Sequence, residues 1–429
     1  MEHKENQGLI SRRGMLKSIG MAGAAAVSAP ILHVGESALR AATTPADASK
    51  TGMKVGILIP GSGEGGYSSN FLNGFHLYLS QRKEAAGSVP FTPFVEEIGV
   101  GAFSANAKLG KLIGEHNIDI AVGLMNSHIV QYLVPTVEKA GINFIEANLG
   151  ENFFHKDLAS DRFFQSSLNL WQSHYTLGEY AAHNIGTTAI SASSFIDSGY
   201  DALYAFEAGF KSAGGIVTRT IISGNPSDNL SPVETAALCA NSDARIVFAN
   251  YSGSDAAIFL SAFKNSGGSE TKKIVVSAMM MQPRLLRFIG DNALGAISAL
   301  SWNPSHSETF VSGYRAKYGS EADDFSLLGY DTATMLCSVS DQVSRSVAPS
   351  NVARAMNTME FDSPRGVVKI NAGTHSLESA VSIVEMKHTD GAAAIHVLST
   401  GNLANAITSS KFRLTDEVRS GSVLPYPNS

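Results

Sequence analysis

The sequence predicts an α/β protein built from doubly wound parallel sheets, and three observations carry that prediction. From Lys54 onward, short apolar runs alternate with amphipathic stretches, the order expected of parallel strands joined by crossover helices. The first run, Val55, Ile57, Leu58 and Ile59, is apolar on both faces, as befits a strand covered on both sides. The scheme then starts afresh near Trp171, so the chain reads as two α/β halves.

In the first half, the strand at Val55 leads to a helix with Phe71, Leu72, Phe75, Tyr78 and Leu79 at helical spacing. A strand over Phe91 to Ile98, a helix over Ser104 to His116 and a strand over Ile118 to Val122 follow. A helix from Ile129 to Ala140 and a strand from Ile142 to Ala147 complete the series. The second half repeats it with strands at Thr188 to Ser193, Ile216 to Ile222, Arg245 to Ala249 and Lys273 to Val276, each fed by a helix. Trp302-Asn303-Pro304 breaks the alternation. Helices over Phe310 to Tyr318, Gly329 to Val343 and Asn351 to Met359 come next, then a hairpin of Gly366 to Ile370 with Ala380 to Met386. Strand carboxyl ends are where such sheets hold ligands. Polar turns fall there at Ser62, at Asn126 and Ser127, at Asn148, and at Tyr251 and Ser252.

At 429 residues, with 44% hydrophobic and 16% charged residues, the chain is long enough for about two ordinary globular domains. A net charge of -6 and the lack of a basic run beyond the first 20 residues argue against nucleic acid as a partner. Arg12 and Arg13 precede an apolar, alanine-rich segment, the layout of a twin-arginine export signal, with a linker reaching about residue 50. Export implies a periplasmic address. Cys239 and Cys337 fall in separate helical patterns and read as buried thiols, so stability is expected from the cores.

The turn after the first strand admits two chemistries. Gly61, Gly63 and Gly66 fit the G-x-G-x-x-G spacing of a dinucleotide loop, whereas Ser62, Tyr67 and Ser68 equally suit a small-molecule cleft. A nicotinamide enzyme needs an acid about 20 residues past the glycines to hold the ribose. Glu96 and Glu97 come later than that, and Pro60 interrupts the fingerprint. No G-x-S-x-G elbow or H-E-x-x-H helix is present, and Ser198 and Glu146 lack an evident catalytic partner in sequence. The expectation is a binding protein without catalytic residues, metal or cofactor. An exported nicotinamide oxidoreductase and a solute sensor that does not transport are the alternatives.

With these residues in place, the chain resembles the branched-chain amino-acid binding family of periplasmic receptors, the leucine-binding-protein-like type I solute-binding proteins of ABC transporters. K-V-G-I-L-I-P-G-S-G-E with N-G-F after it, D-I-A-V-G-L-M-N-S, E-K-A-G-I-N-F-I-E-A and Y-A-F-E-A-G-F-K-S-A-G-G are similar in order and spacing. So are Phe248-Ala249-Asn250-Tyr251, Gly329-Tyr330-Asp331 and F-D-S-P-R-G-V-V-K-I-N-A-G. The resemblance covers about residues 52 to 395. It implies two lobes joined by three crossovers and closing on a solute by a hinge. The lobes would be 52–168 plus 305–360, and 169–304 plus 361–400, with a tail over 401–429. It also implies a monomer that meets the membrane only through a transporter's permease and ATPase. The matching ligand positions are Ser62, Tyr67, Asn126, Ser127, Asn148 and Gly150 from the first lobe, and Tyr200, Tyr251, Ser252 and Met279 from the second.

Two departures bear on the ligand. Amino-acid-binding relatives carry an acid after the strand matching Lys273 to Val276, facing the ligand's ammonium, but here Met279 begins a run of three methionines. Asp255, Glu146 and Asp197 all stand off that position, and a buried ammonium without a counter-charge costs several kcal/mol. Tyr200 follows Gly199, reversing the family's Tyr-Gly order. Methionine supplies an adaptable, polarisable wall, so the expected solute is more apolar or aromatic than an aliphatic amino acid, a carboxylate or amide.

Overall fold

The computed structural model describes residues 52–61, 66–82, 90–99, 101–150, 160–199, 201–226, 229–343, 347–389 and 391–401. The expected export signal, Ser62, Tyr200 and the carboxyl tail lie outside the described residues.

The chain runs from β1 (Met53–Ile59) through α1 (Tyr67–Gln81), β2 (Phe91–Glu97), α2 (Ala102–His116), β3 (Ile120–Leu124), α3 (Ser127–Ala140) and β4 (Asn143–Asn148) to β5 (Phe163–Ser167). After α4 (Leu170–Asn184) come β6 (Thr188–Ser194), α5 (Ala202–Ser212), β7 (Ile216–Ser223), α6 (Pro232–Ala240), β8 (Ile246–Asn250), α7 (Gly253–Asn265), α8 (Gly268–Thr271) and β9 (Lys273–Val276). Then follow α9 (Pro283–Ile289), β10 (Ile297–Leu300), α10 (Glu308–Tyr318), α11 (Asp324–Gln342), α12 (Pro349–Asn357), β11 (Glu360–Ser363), β12 (Gly366–Asn371), β13 (Ser376–Glu378), β14 (Ser382–Thr389) and β15 (Ala392–Thr400).

Two sheets organise these elements. The first has the order β11-β12-β13-β5-β4-β3-β1-β2, and the second β15-β14-β10-β9-β8-β6-β7. Strands β1 to β5 pair in parallel, as do β6 to β10, and antiparallel strands extend one edge of each sheet. Each sheet is buried on both faces: Val55, Ile57 and Ile59 enter one core, while Leu58 enters another. The unbroken apolar runs in the sequence are the direct signature of that double burial.

The lobe around the first sheet is pulled together by a helix crossing that only glycine permits. A Cβ on Gly74 of α1 would lie 1.7 Å from the Ser326 carbonyl oxygen, and one on Gly329 of α11 would lie 1.9 Å from that of Phe71. The two backbones therefore touch, which brings a late helix onto the first sheet.

The chain passes between lobes three times, after β5, after β10 and after β13. The third passage differs from the expected boundary at 360/361: β11, β12 and β13 join the first sheet, and only β14 and β15 join the second. The expected hairpin of Gly366 to Ile370 with Ala380 to Met386 does not form. Gly366–Asn371 instead pairs with β11 and β13, and Ser382–Thr389 pairs with β10 and β15. The periodicity located these strands but could not choose their partners. Strand β5 was not expected because Gln165, Ser166 and Ser167 make it half polar, yet it is buried throughout.

Candidate functional site

Between the lobes lies a cavity of about 30 Å³, room for about two waters. Its wall is mostly apolar: Leu149, Leu168, Leu170, Met281, Leu300 and Trp302 line it, with Ser173, Gln282 and Asp324 among the polar groups. Each comes from a strand end, a crossover or a helix start. The 3-10 turn Ala278–Met281, directly after β9, closes one side. Within it Met279 packs against the first lobe's core, while Met280 and Met281 belong to the second lobe's own core. Gln282 reaches across to the first lobe, its Nε2 donating to Asp324 Oδ2 at 3.2 Å. At the rim, Arg287 of α9 meets Glu321 at 3.4 Å. The lobes are closed on one another.

On the first lobe, Ser127 and Asn148 share one buried network, and Asn126 caps the helix beside it. Asn126 caps α3, its Oδ1 accepting from the Ile129 amide at 3.0 Å. Ser127 Oγ donates to Glu146 Oε1 at 2.7 Å, and Asn148 Nδ2 donates to both Ser127 Oγ and Glu146 Oε1. Gln165 Nε2 donates to Asn148 Oδ1 at 3.1 Å, and Ser376 Oγ donates to Gln165 Oε1 at 2.8 Å. Burial pushes the Glu146 carboxyl up to about 8, against the hydrogen bonds from Ser127, Asn148 and Gln165. Near neutrality it is an uncharged acid within that buried network.

Gly150 sits at φ 100°, where a Cβ would meet Ser167 Oγ at 2.5 Å and the Asn169 amide nitrogen at 2.6 Å. This lets the strand end run along the first crossover, with Leu170 N donating to Leu149 O and Trp171 N to Gly150 O. Two cavity walls, Leu149 and Leu170, are joined by that pairing. Tyr67 opens α1 and lies in the first lobe's core with its ring 5.0 Å from that of Phe325.

On the second lobe, Tyr251 turns into the core, stacked on Phe259 at 4.6 Å with its hydroxyl 2.7 Å from Ser223 Oγ. Ser252 is bound to Asp197, whose Oδ2 accepts from the Ser252 amide at 2.9 Å and whose Oδ1 accepts from its hydroxyl at 2.8 Å. Burial raises the Asp197 carboxyl despite these bonds. Of the described second-lobe residues expected at the cleft, Met279 is the one that packs against the opposite lobe's core.

Sequence reasoning missed four positions. Asp324 starts α11 beside the capping residue Asp323. Burial, then the Asp323 charge, push its carboxyl up to about 7 against the pull of Gln282 and Arg365. Gln282 follows the methionine run and carried no motif. His174 accepts the Ala278 N–H at Nε2 (3.3 Å), and its Nδ1 lies 2.6 Å from the Leu170 carbonyl oxygen, so its proton sits on Nδ1. Burial lowers its pKa to about 4 and keeps it neutral. Trp302 stood out in sequence only as a break in the pattern. The Asp-Asp pair preceding an amphipathic run was the one available signal for Asp324.

Of the two acids considered for a ribose, Glu96, near the end of β2, is ion-paired with Lys108 at 2.7 Å and Lys111 at 2.5 Å.

Comparison with known proteins places the chain. The profile described as periplasmic binding protein matches residues 52–392. The Leu/Ile/Val-binding protein homolog 6 of Brucella melitensis is 23% identical over 348 residues, 79% of this chain and 88% of that protein. Among solved structures, a solute-binding protein of an ABC transporter from Rhodopseudomonas palustris BisB5, in complex with 3,4-dihydroxybenzoic acid, superposes with a TM-score of 0.71 at 20% identity. That match spans 82% of this chain and 97% of the other. The branched-chain amino acid transporter substrate-binding protein LivJ from Streptococcus pneumoniae, in complex with isoleucine, gives 0.63 at 16% identity over 81% and 99% of the two chains.

Proposed function

The chain belongs to the periplasmic binding protein family, and on that premise we propose that it captures a small, mainly apolar or aromatic carboxylate or amide between its lobes for an ABC transporter. The observation that carries this reading is the cavity wall, where Leu149, Leu168, Leu170, Met281, Leu300 and Trp302 outnumber the polar groups. Burying a ring or a branched chain there supplies affinity through the area removed from water, and the few polar groups fix orientation. Met279 supports the same reading, because its thioether lies at the lobe interface where amino-acid-binding relatives carry an acid. The Rhodopseudomonas protein that held 3,4-dihydroxybenzoic acid supports an aromatic ligand, and the Streptococcus protein that held isoleucine supports an amino acid. The wall favours the aromatic one.

Seating such a solute calls for the lobes to move apart, since the cavity offers about 30 Å³ in this form. Opening about the three crossovers is the motion the architecture offers. None of the described residues expected at the cleft lines that cavity; Asn126, Ser127, Asn148 and Gly150 hold the first lobe's strand ends, and Met279 sits in the turn that carries Met281. The partners are the permease and ATPase of the transporter. The Arg12-Arg13 pair serves as a twin-arginine export signal delivering the protein to the periplasm, and Arg12→Lys with Arg13→Lys is expected to trap the precursor inside the cell.

Calorimetric titration of the purified protein against benzoates, hydroxybenzoates, leucine and isoleucine tests the ligand class. Saturable binding of an aromatic acid is the expected result, and tight leucine binding with no response to aromatic acids would sink the reading.

A further inference from the structure

We propose that Asp324, together with Gln282, is the specificity-determining end of the cleft and takes a hydrogen-bond donor, hydroxyl or ammonium, on the bound solute. This rests on reading the cavity as the solute site, and it adds which end of the solute meets which lobe.

The chemistry at that end is one-sided. Asp324 lines the cavity from the first lobe, and among the described residues Gln282 is the one side chain hydrogen-bonded to its carboxyl. Gln282 lines the cavity from the second lobe and commits its Nε2 to Asp324 and to Met279 Sδ, so its carbonyl oxygen remains as a further acceptor. Acceptors from both lobes thus meet at one place. The strongest donor nearby, the Arg365 guanidinium, is taken up by Asp331, Asn169, Ser379 and the Ser167 carbonyl. Asp323 beside it is engaged with the Ser326 amide and the Asn70 side chain.

An acceptor on the solute would face the Gln282 carbonyl oxygen and the ionised form of Asp324, neither of which can donate to it. A donor satisfies both, and because the two belong to different lobes, the same bonds tie occupancy to closure. The aromatic or aliphatic body then lies against Leu168, Leu170, Leu300 and Trp302, and the Ser173 hydroxyl, without a partner among the described residues, offers the remaining polar contact.

The test is calorimetric titration with two matched pairs: 4-hydroxybenzoate against benzoate, and leucine against 4-methylpentanoate, which is leucine without its ammonium. The donor-bearing member of one pair is expected to bind about 10- to 100-fold tighter. Asp324→Leu should erase that ratio, so that the two members of the pair bind alike when both are measured on the variant. Asp324→Asn, which keeps an acceptor oxygen without charge, should retain a hydroxyl preference and lose an ammonium preference, separating the two sources. Both variants are checked for an unchanged circular-dichroism spectrum. Equal binding within both pairs, or a ratio that survives Asp324→Leu, overturns the assignment while the solute class stands. Failure of all four compounds to bind overturns the solute class and the assignment with it.

Discussion

The Arg365 Nε stands 3.0 Å from Asp331 Oδ2, with both side chains sealed from solvent. The rest of the guanidinium reaches Ser167 O at 2.7 Å, Asn169 Oδ1 at 3.2 Å and Ser379 Oγ at 3.3 Å. Asp331 lies on α11, Ser167 and Asn169 at the first crossover, and Ser379 at the third. One side chain therefore joins a first-lobe helix to two of the three connections about which the lobes would move. Ser301 Oγ, donating to Leu168 O at 2.5 Å, brings in the remaining connection.

Removing one partner of such a pair leaves the other charge buried without compensation. Arg365→Met is expected to destabilise the protein by about 3–5 kcal/mol, and adding Asp331→Leu should recover most of that loss. Urea unfolding of both variants gives the comparison. If the double variant is no more stable than the single, the pair is not what holds this junction.

Gly150→Ala meets two obstacles, a backbone at φ 100° and a Cβ within 2.7 Å of Ser167 Oγ and the Asn169 and Leu170 amides. A strained position of this kind costs about 1–3 kcal/mol before the clash is counted. The variant should unfold at lower denaturant and bind solute more weakly, because the Leu149 and Leu170 walls are held by this pairing. A variant of native stability and affinity would mean that the crossover relaxes freely.

The sequence motifs that led to the family turn out to be chiefly about assembly. Gly74 of N-G-F and Gly329 of G-Y-D are the two sides of the α1–α11 contact, and Asp331 of the same motif pairs with the arginine of S-P-R-G. Their spacing was legible because close helix contacts and buried ions admit few residue types. The cleft was less legible. Tyr251 and Ser252 follow a strand end as expected, yet the tyrosine turns into the core and the serine is held by Asp197. A strand end fixes where a residue sits but not which way its side chain turns. Asp324 and Gln282 sit more than 40 positions apart and meet only because the lobes close, a relationship that no local period encodes.

Glu146 gives the protein a pH dependence of defined sign. Its folded pKa of about 8 lies above the ordinary value of 4.5. Between those values the folded state holds a proton that the unfolded state has released, so stability falls as pH rises through the window. Glu146→Gln keeps an oxygen for Ser127 and Asn148 but cannot ionise. Relative to wild type, the variant should therefore gain in melting temperature as pH rises from 4.5 to 8. Asp324, raised to about 7, slopes the same way in both proteins and cancels in the difference. Parallel curves would show that Glu146 does not titrate there.

His174 acts in the opposite direction, and its position gives the effect a functional edge. Its folded pKa of about 4 lies below the ordinary 6.5, so the unfolded chain takes up the proton first and stability is lost as pH falls between those values. Protonation also turns Nε2 from an acceptor into a donor facing the Ala278 N–H, which frees the turn that carries Met279 and leads into Gln282. His174→Phe keeps an aromatic ring near Phe248 but leaves that amide without its partner. At pH 8 it should lose about 1–3 kcal/mol, and the gap to wild type should narrow as pH falls from 6.5 to 4. Denaturant midpoints measured across that range decide the matter. A gap that stays constant with pH would mean that the imidazole is not the titrating link between α4 and the methionine turn.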